Sequence, residues 1–337
     1  MSTSNQQSKY HRTSQPSPGV LLLEFNRYEH PGHPFISLLI SSPRPPLNAF
    51  HDAMWKELQS IIETISSDTD IRVIVLSSSS DKHFTAGLDR MLPFLTAGVT
   101  LTQILTVGAL ASLAAPAVDP SRKAFALHQH IIEFQNAISS LSACRQPVLA
   151  ALHGSVLGLG VDIASACDVR FAATNATFGI LVRFFPLCDT PMLMNEFFKE
   201  VNVGLAADIG TLQRFPKIVG NDSKARELAL SGRRFDAKEA LEIGFVSEVV
   251  EGGRKEVVEK ALGLAKEIAS KSPVAVVGTK HLLNHARDHT VQDGLEYTAA
   301  WNMAMLQSVD TTLAMKASVS KLPPVFPPLA HADKAKL

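Results

Sequence analysis

The chain has 337 residues, of which 46% are hydrophobic, enough to bury the core of one large domain or two. Basic and acidic residues number 32 each, so the formal net charge is zero. A neutral chain has no long-range field that would gather nucleic acid or an anionic membrane, and an anionic ligand must be held locally. The cysteines, Cys144, Cys167 and Cys188, form no C-x-x-C pair, which argues against a disulfide framework or zinc site and favours a reducing compartment.

Two segments raise the question of targeting or membrane insertion. Residues 1–18 are polar and contain no apolar stretch, which predicts a disordered tail rather than a secretory signal. The charge-free run from Leu92 to Val118 is long enough to cross a bilayer. Its prolines, glycines, threonines and Gln103 dilute the hydropathy, and no basic cluster flanks it. The run is therefore interpreted as a buried helix or apolar lid.

The next segments alternate between helix and strand. Apolar residues within 49–65 recur at helical spacing, and the β-branched run 71–79 is typical of a strand buried on both faces. A second strand is predicted at 147–154, and a short helix and a third strand follow within 161–173. This alternation favours an α/β fold with crossover connections.

From Phe235 onward the pattern becomes helical. The stripe that includes Val258 and Leu262 predicts a helix with Pro273 as its stop. Tyr297 and Trp301 lie at helical spacing and are interpreted as core or oligomer contacts. The predicted organisation is a disordered tail (1–18), a core (19–234), a helical region (235–322) and a second tail (323–337).

Two turns, within 83–91 and 153–168, leave a predicted strand, bend at glycine and are expected to enter a helix. Such turns present backbone N–H groups at the positive end of a helix dipole. A thioester enolate needs two convergent donors of this kind, because charge moves onto its carbonyl oxygen as the α-proton leaves. Each turn alone is also explained by the tolerance of glycine for positive φ.

Three acidic side chains are candidates for the chemistry. Asp162 lies within the second turn segment, and Glu200 and Asp208 lie in the largely apolar stretch that follows. An apolar pocket raises the pKa of a carboxyl group, which suits a general acid or base. For Asp208 the alternative is a helix N-cap, because residues 210–217 could begin a helical turn.

Several segments between about Ser41 and Lys321 resemble, in order, the dienoyl-CoA isomerase branch of the crotonase (enoyl-CoA hydratase/isomerase) superfamily. FDAKEALEIGFV marks the superfamily, whereas GLAADIGTLQR and WNMAMLQ are specific to the branch. The resemblance implies a spiral of ββα turns followed by a helical C-terminal oligomerisation region. It also implies a homotrimer or hexamer that acts on an acyl-CoA thioester, with no cofactor because coenzyme A is part of the substrate, and with no metal.

By resemblance, the backbone N–H groups of Leu88 and Leu159 form an oxyanion hole. Glu200 takes the α-proton, Asp208 delivers a proton at the far end of the conjugated system, and Asp162 supports or orients them. The implied reaction converts a 3,5-dienoyl-CoA to the 2,4-dienoyl form in fatty-acid β-oxidation.

The resemblance also implies contacts with the thioester and pantetheine, from Gly87, Leu88, Asp89, Arg90, Met91 and Gly160. Lys82, His83 and Arg90 are candidates for the nucleotide phosphates, or else solvated surface charges. His153 is interpreted as a hydrogen-bonded structural histidine.

Two other functions remain open on the sequence. An enoyl-CoA hydratase needs two acids beside one water, at the positions of Asp162 and Glu200, and has no use for Asp208. The other is a non-catalytic acyl-CoA-binding or assembly subunit of the same fold, which would bind acyl-CoA tightly without changing the diene absorbance.

The chain departs from the family pattern in two places. Leu159 replaces the middle glycine of a Gly-Gly-Gly turn, which is tolerable if φ is negative and the side chain points away from substrate. Residues 181–198 form an insert directly before Glu200. The insert is either a loop near the substrate entrance or a translated piece of unspliced intron, and it could displace Glu200.

The chain ends Ala335-Lys336-Leu337, which resembles the S-K-L tripeptide read by the peroxisomal import receptor. We therefore expect a peroxisomal location with that receptor as a partner, and a mitochondrial location is the alternative.

Overall fold

The computed structural model describes residues 8–26, 48–88, 90–91, 119–185, 197–199 and 205–329. The predicted apolar run 92–118, Glu200 and the terminal tripeptide lie outside these ranges. Within them, no helix combines the length and the apolar character that crossing a bilayer requires.

The described strands are, in chain order, β1 (His11–Ser17), β2 (Val20–Phe25), β3 (Val73–Ser78), β4 (His83–Thr85), β5 (Arg90–Met91), β6 (Val148–Leu152), β7 (Ser155–Leu157), β8 (Val169–Ala173), β9 (Thr177–Gly179), β10 (Leu181–Phe185), β11 (Phe197–Lys199), β12 (Phe235–Asp236) and β13 (Glu248–Val250). The described helices are α1 (Asp52–Ser67), α2 (Pro120–Ala143), α3 (Leu159–Ala166), α4 (Thr211–Val219), α5 (Asp222–Ser231), α6 (Ala237–Glu242), α7 (Arg254–Ala269), α8 (Pro273–Ala286), α9 (Val291–Met305) and α10 (Val309–Ser320).

The core of the chain repeats a strand–strand–helix unit. The first strand of each unit joins a six-stranded sheet of order β1-β2-β3-β6-β8-β13, and the second joins a four-stranded sheet of order β12-β9-β7-β4. From β2 onward the neighbours in the larger sheet are parallel, as crossover connections require. The expected spiral of ββα turns, followed by a helical C-terminal region, is therefore confirmed.

The larger sheet is covered on both faces, which explains the continuous apolar runs in its strands. Alternate residues of β3 face opposite sides, because side chains alternate along a strand. Ile74 and Leu76 belong to the main core, whereas Val73 and Val75 pack in a second cluster with side chains of α7. The predicted helix within 49–65 is α1, which buries Met54, Trp55, Leu58, Ile62 and Ile65.

The prediction that residues 1–18 form a disordered tail is wrong for residues 11–17. These residues form β1 and pair antiparallel with β2. The Glu57 carboxylate anchors the segment by accepting the N–H groups of Lys9 and Tyr10, at 2.6 and 2.8 Å, and contacting Nδ1 of His11 at 2.7 Å.

Pro273 does not end a helix as predicted, but begins one. α7 ends at Ala269, and Pro273 is the first residue of α8, with the Ser272 side chain as its N-cap. Proline suits this position because the first helical N–H has no intrahelical acceptor.

The C-terminal helices are fastened to the core by a buried lysine. Nζ of Lys280 in α8 lies 2.9 Å from the Asp168 carboxylate and donates to the carbonyl groups of Leu141 and Gln146, at 3.0 and 2.8 Å. The lysine side chain is 5% exposed, so these partners replace its lost hydration.

Candidate active site

The two glycine turns predicted from the sequence lie side by side. Strands β4 and β7, which lead into them, are parallel neighbours, with His83 opposite Ser155 and Thr85 opposite Val156. Adjacent parallel strands end at the same edge of a sheet, so the turns that follow them meet. A methyl group built on Gly158 would lie 3.8 Å from Cα of Gly87.

The first turn bends at Gly87, where φ is +95°. The Gly87 carbonyl accepts the N–H of Phe50 at 2.8 Å, which fixes the peptide group preceding Leu88. The expectation that a helix follows is wrong for the next described residues. Arg90–Met91 form β5, because they pair in parallel with Phe184–Phe185 of β10.

The second turn bends at Gly158, with φ of +51°, and here the sequence does enter a helix. The Gly158 N–H donates to the carbonyl of Gly179 at 2.8 Å. Leu159 is the first residue of α3, so its N–H has no acceptor within that helix and lies at the positive end of the dipole. The Leu159 side chain is 3% exposed and packs in the main core. A leucine at the position of the family's middle glycine therefore does not block the backbone N–H.

Asp162 lies in the first turn and a half of α3 and is buried, with 4% of its surface exposed. Its Oδ1 accepts both the N–H and the hydroxyl of Thr211, each at 2.6 Å. Burial raises the pKa of Asp162 to about 6, the Thr211 hydrogen bonds oppose the rise, and the charge of Asp208 adds to it. Burial therefore keeps the Asp162 carboxyl group protonated to a higher pH than an ordinary aspartate.

Asp208 is exposed and near enough to Asp162 for its charge to raise that pKa. Its carbonyl oxygen accepts Nε2 of Gln135 in α2 at 2.6 Å. Asp208 is not the N-cap of α4, since Gly210 holds that position. The side chain that takes the first N–H of α4 is Asp162, which comes from another helix.

Glu200 and Asp89 lie outside the described residues. The residue before Glu200 is Lys199, the last residue of β11, and it pairs antiparallel with Leu181 of β10. The two ends of the insert thus form a strand pair, and the chain comes back beside the residue at which the insert began.

The remaining predicted residues are placed as follows. Gly160 lies in the first turn of α3, and a methyl group built there would be 2.9 Å from Cγ2 of Thr85. Lys82 is exposed, and Nδ1 of His83 lies 3.1 Å from the Ser155 hydroxyl. In the described part of the chain, no three His, Cys, Asp or Glu side chains are arranged to hold a metal ion.

His153 is a structural histidine, as predicted. It is completely buried, and its Nε2 lies 2.8 Å from the Ser80 carbonyl. Burial lowers its pKa, which favours the neutral ring.

Sequence reasoning missed the hydroxyl groups that hold the site together. Thr85 accepts the N–H of Gly87, and Thr211 binds Asp162. A threonine two residues before a turn glycine is a recognisable signal of a local side-chain turn, so Thr85 could have been found. Thr211 could not, because its partner is 49 residues away.

Comparison with known proteins agrees with this architecture. Family models described as enoyl-CoA hydratase/isomerase match residues 126–327 and 39–181. The mitochondrial delta(3,5)-delta(2,4)-dienoyl-CoA isomerase of Mus musculus is 38% identical over 81% of this chain and 73% of its own length. The peroxisomal delta(3,5)-delta(2,4)-dienoyl-CoA isomerase of Arabidopsis thaliana is 35% identical over 86% of this chain and 91% of its own.

Among solved structures, an enoyl-CoA hydratase from Bacillus anthracis superposes with a TM-score of 0.71 at 23% identity. The match covers 94% of this chain and 99% of that one. At this identity the likeness concerns the fold. The family-model matches and the identity to the two isomerases go further, and the chain belongs to the enoyl-CoA hydratase/isomerase (crotonase) family.

Proposed function

We propose that this protein isomerises 3,5-dienoyl-CoA to 2,4-dienoyl-CoA in fatty-acid β-oxidation. The observation that carries the proposal is the position of Asp208, a third carboxylate three residues before Thr211, whose N–H and hydroxyl bind Asp162 beside the paired glycine turns. The names of the relatives that are 35–38% identical to this chain support the same activity.

The reaction moves one proton out of the acyl chain and one proton back in. A base removes a proton from C2, and the electron pair spreads through the diene onto the thioester oxygen. The dienolate then takes a proton at C6, which leaves double bonds at C2 and C4. Because C2 and C6 lie at opposite ends of the conjugated system, two separate carboxyl groups suit the reaction better than one.

In this mechanism the N–H groups of Leu88 and Leu159 bind the thioester oxygen where the negative charge develops. Losing one such donor typically reduces kcat by about 100-fold or more. Glu200 takes the proton from C2, and Asp208 gives the proton to C6. Asp162 holds the start of α4, just after Asp208, in a fixed position.

The test is the ultraviolet absorbance of conjugated 2,4-dienoyl-CoA, followed with the wild type, Glu200→Gln and Asp208→Asn. Hydration of a 2-enoyl-CoA is measured alongside. We expect the wild type to form the diene and both variants to lose this activity. Hydration that persists in Asp208→Asn, without diene formation by the wild type, would favour a hydratase. Tight acyl-CoA binding with neither reaction would favour a non-catalytic binding protein.

We also propose that the protein forms a homotrimer or hexamer through its C-terminal helices. None of the side chains of α9 is buried. Large apolar side chains stand exposed on α9 and α10: Val291, Leu295, Met303, Val309, Met315 and Val319. A second copy that covers this face would remove the apolar surface from water. Sedimentation of the wild type and of Leu295→Asp tests the assembly, and a wild-type monomer would contradict it.

The proposed location is the peroxisome, through recognition of Ala335-Lys336-Leu337 by the import receptor. The named relatives are mitochondrial in one case and peroxisomal in the other, so both compartments fit the activity. A fluorescent protein is inserted between residues 322 and 323 of the full chain, and its location is imaged with and without the last three residues. This experiment distinguishes the peroxisome from the mitochondrion. Peroxisomal signal that survives the truncation would contradict the proposal.

A further inference from the structure

We infer that Thr85 is a positioning residue that fixes the two oxyanion donors, Leu88 and Leu159, relative to each other. The inference rests on the proposed function, because it assigns a role within the same site. It is carried by the two sides of one buried side chain, each of which contacts one of the two turns.

The hydroxyl of Thr85 holds the first turn. The side chain is completely buried at the end of β4. Its Oγ1 accepts the N–H of Gly87 at 3.1 Å and donates to the carbonyl of Asn48 at 2.8 Å. The two peptide groups that flank Gly87 are therefore both fixed, the Ala86–Gly87 group by this hydroxyl and the Gly87–Leu88 group by the bond from the Phe50 N–H to the Gly87 carbonyl.

The Asn48 end of this connection is itself fixed. Asn48 is completely buried, and its Nδ2 donates to the Ser78 hydroxyl at 2.5 Å. Ser78 in turn donates to the carbonyl of His83 at 2.7 Å. Through Asn48 and Ser78, Thr85 thus connects the Gly87 turn to the end of β3. The position of the turn is therefore fixed relative to the larger sheet.

The methyl group of Thr85 faces the second turn. A methyl group built on Gly160 would lie 2.9 Å from Cγ2 of Thr85. Gly160 follows Leu159 in the first turn of α3, and Thr85 pairs with Val156 just before that turn. The Thr85 methyl group therefore fills the space beside Gly160, and β4 and the start of α3 pack too closely to admit a further side chain between them.

Donors in an oxyanion hole act by being held in place before the charge develops, so a small displacement weakens them mainly in the transition state. Thr85 is buried beneath the turn and does not touch the acyl chain in the proposed mechanism. Removing its hydroxyl should therefore lower kcat and leave KM nearly unchanged, as for an interaction that matters in the transition state.

The test compares Thr85→Val, which keeps the shape and loses the hydroxyl, with Thr85→Ser, which keeps the hydroxyl. We expect kcat for diene formation to fall about tenfold in Thr85→Val, which loses the bond to the Gly87 N–H, and by a smaller factor of about threefold in Thr85→Ser, which loses the methyl group beside Gly160, with KM within about twofold in both. If Thr85→Val does not fold, the pair Thr85→Ser and Thr85→Ala decides, because these differ by the hydroxyl alone.

A second readout excludes a purely structural role. Acetoacetyl-CoA ionises to an enolate with its own ultraviolet absorbance, and an oxyanion hole lowers the pH at which the bound compound ionises. We expect this pH to rise by about one unit in Thr85→Val, corresponding to a tenfold loss, while binding of a saturated acyl-CoA is unchanged. Ser77→Ala is the control, since it removes another buried hydroxyl, 3.4 Å from the Ala151 carbonyl, away from the turns.

The outcomes separate the inference from the proposed function. A wild-type protein that forms no diene overturns the proposed function. An active wild type whose kcat and enolate ionisation are unchanged in Thr85→Val overturns the role of Thr85 alone. Equal effects of Thr85→Val and Ser77→Ala on both readouts would also overturn it, because the change would then reflect general loss of stability.

Discussion

Thr211 donates both its backbone N–H and its hydroxyl to the same oxygen of Asp162, each at 2.6 Å. The contact joins the start of α4 to α3 and supplies the N-terminal cap that Gly210 cannot. It also places a buried carboxyl group at the centre of the site, with a pKa of about 6.

Asp162→Asn should change the pH dependence of stability in a defined direction. The pKa of Asp162 is about 6 in the folded state against 3.8 for a solvated aspartate side chain, so the ionised group opposes folding. The contribution of protonated Asp162 to the free energy of unfolding is fully present below about pH 4. It is lost as the pH rises through about 6. Asparagine can still accept both Thr211 bonds and does not ionise.

We therefore expect Asp162→Asn to gain stability relative to the wild type as pH rises from about 4 to 6. The gain should reach on the order of 3 kcal/mol and stay constant above that range. Urea unfolding of both proteins at equal concentration across this pH range measures it. A difference that does not vary with pH, or that shrinks as pH rises, would show that Asp162 is not held with a raised pKa.

Gly158→Ala should abolish most of the activity. Its φ is +51°, and a methyl group there would lie 2.2 Å from the carbonyl oxygen of Leu181, so the turn before Leu159 must shift. We expect kcat/KM to fall by about 100-fold or more, as when an oxyanion donor is lost. Gly220→Ala is the matched control, because Gly220 also has positive φ, +68°, but no atom within 4 Å of the added methyl. Retention of activity in Gly158→Ala would rule out this turn as part of the site.

Lys280→Met should destabilise the protein strongly. The change leaves Asp168 and the carbonyl groups of Leu141 and Gln146 without this partner, and breaking a buried ion pair typically costs about 3–5 kcal/mol. Lys271→Met removes an exposed pair with Glu267 and should cost less than about 0.5 kcal/mol. Denaturant unfolding compares the two variants. Similar small losses in both would mean that Lys280 does not fasten the C-terminal helices.

Deleting residues 181–198 should preserve activity. Lys199 pairs with Leu181, so the insert leaves and returns at neighbouring positions, about 5 Å apart for paired antiparallel residues. Joining Ile180 to Lys199 therefore requires only a small shift of Lys199, the residue that precedes Glu200. We expect kcat/KM within about tenfold of the wild type, a change of about 1.4 kcal/mol in activation free energy. A folded deletion variant without activity would show that the insert itself is part of the site.

The sequence predicted elements whose apolar residues repeat regularly. α1, β3 and β6 were predicted because one stripe or both faces are buried. The two glycine turns were predicted because they come shortly after the buried strands β3 and β6 in the sequence. Their meeting follows from the parallel pairing of β4 and β7.

What the sequence did not predict depends on partners far along the chain. β1 has one fully buried residue, His11, so it shows no apolar pattern and is a strand because it pairs with β2. Arg90–Met91 are a strand because they pair with residues more than 90 positions later. Thr211 could not be linked to Asp162 for the same reason.

The central claim is that Glu200 and Asp208 exchange protons at opposite ends of an oxyanion-stabilised dienolate. Proton NMR of a 3,5-dienoyl-CoA in D₂O tests it most directly, because exchange at C2 is seen separately from formation of the 2,4-diene. We expect Asp208→Asn to exchange the C2 protons without forming the 2,4-diene, and Glu200→Gln to do neither. The claim would be contradicted if Asp208→Asn formed the 2,4-diene at the wild-type rate, or if Glu200→Gln exchanged the C2 protons at the wild-type rate.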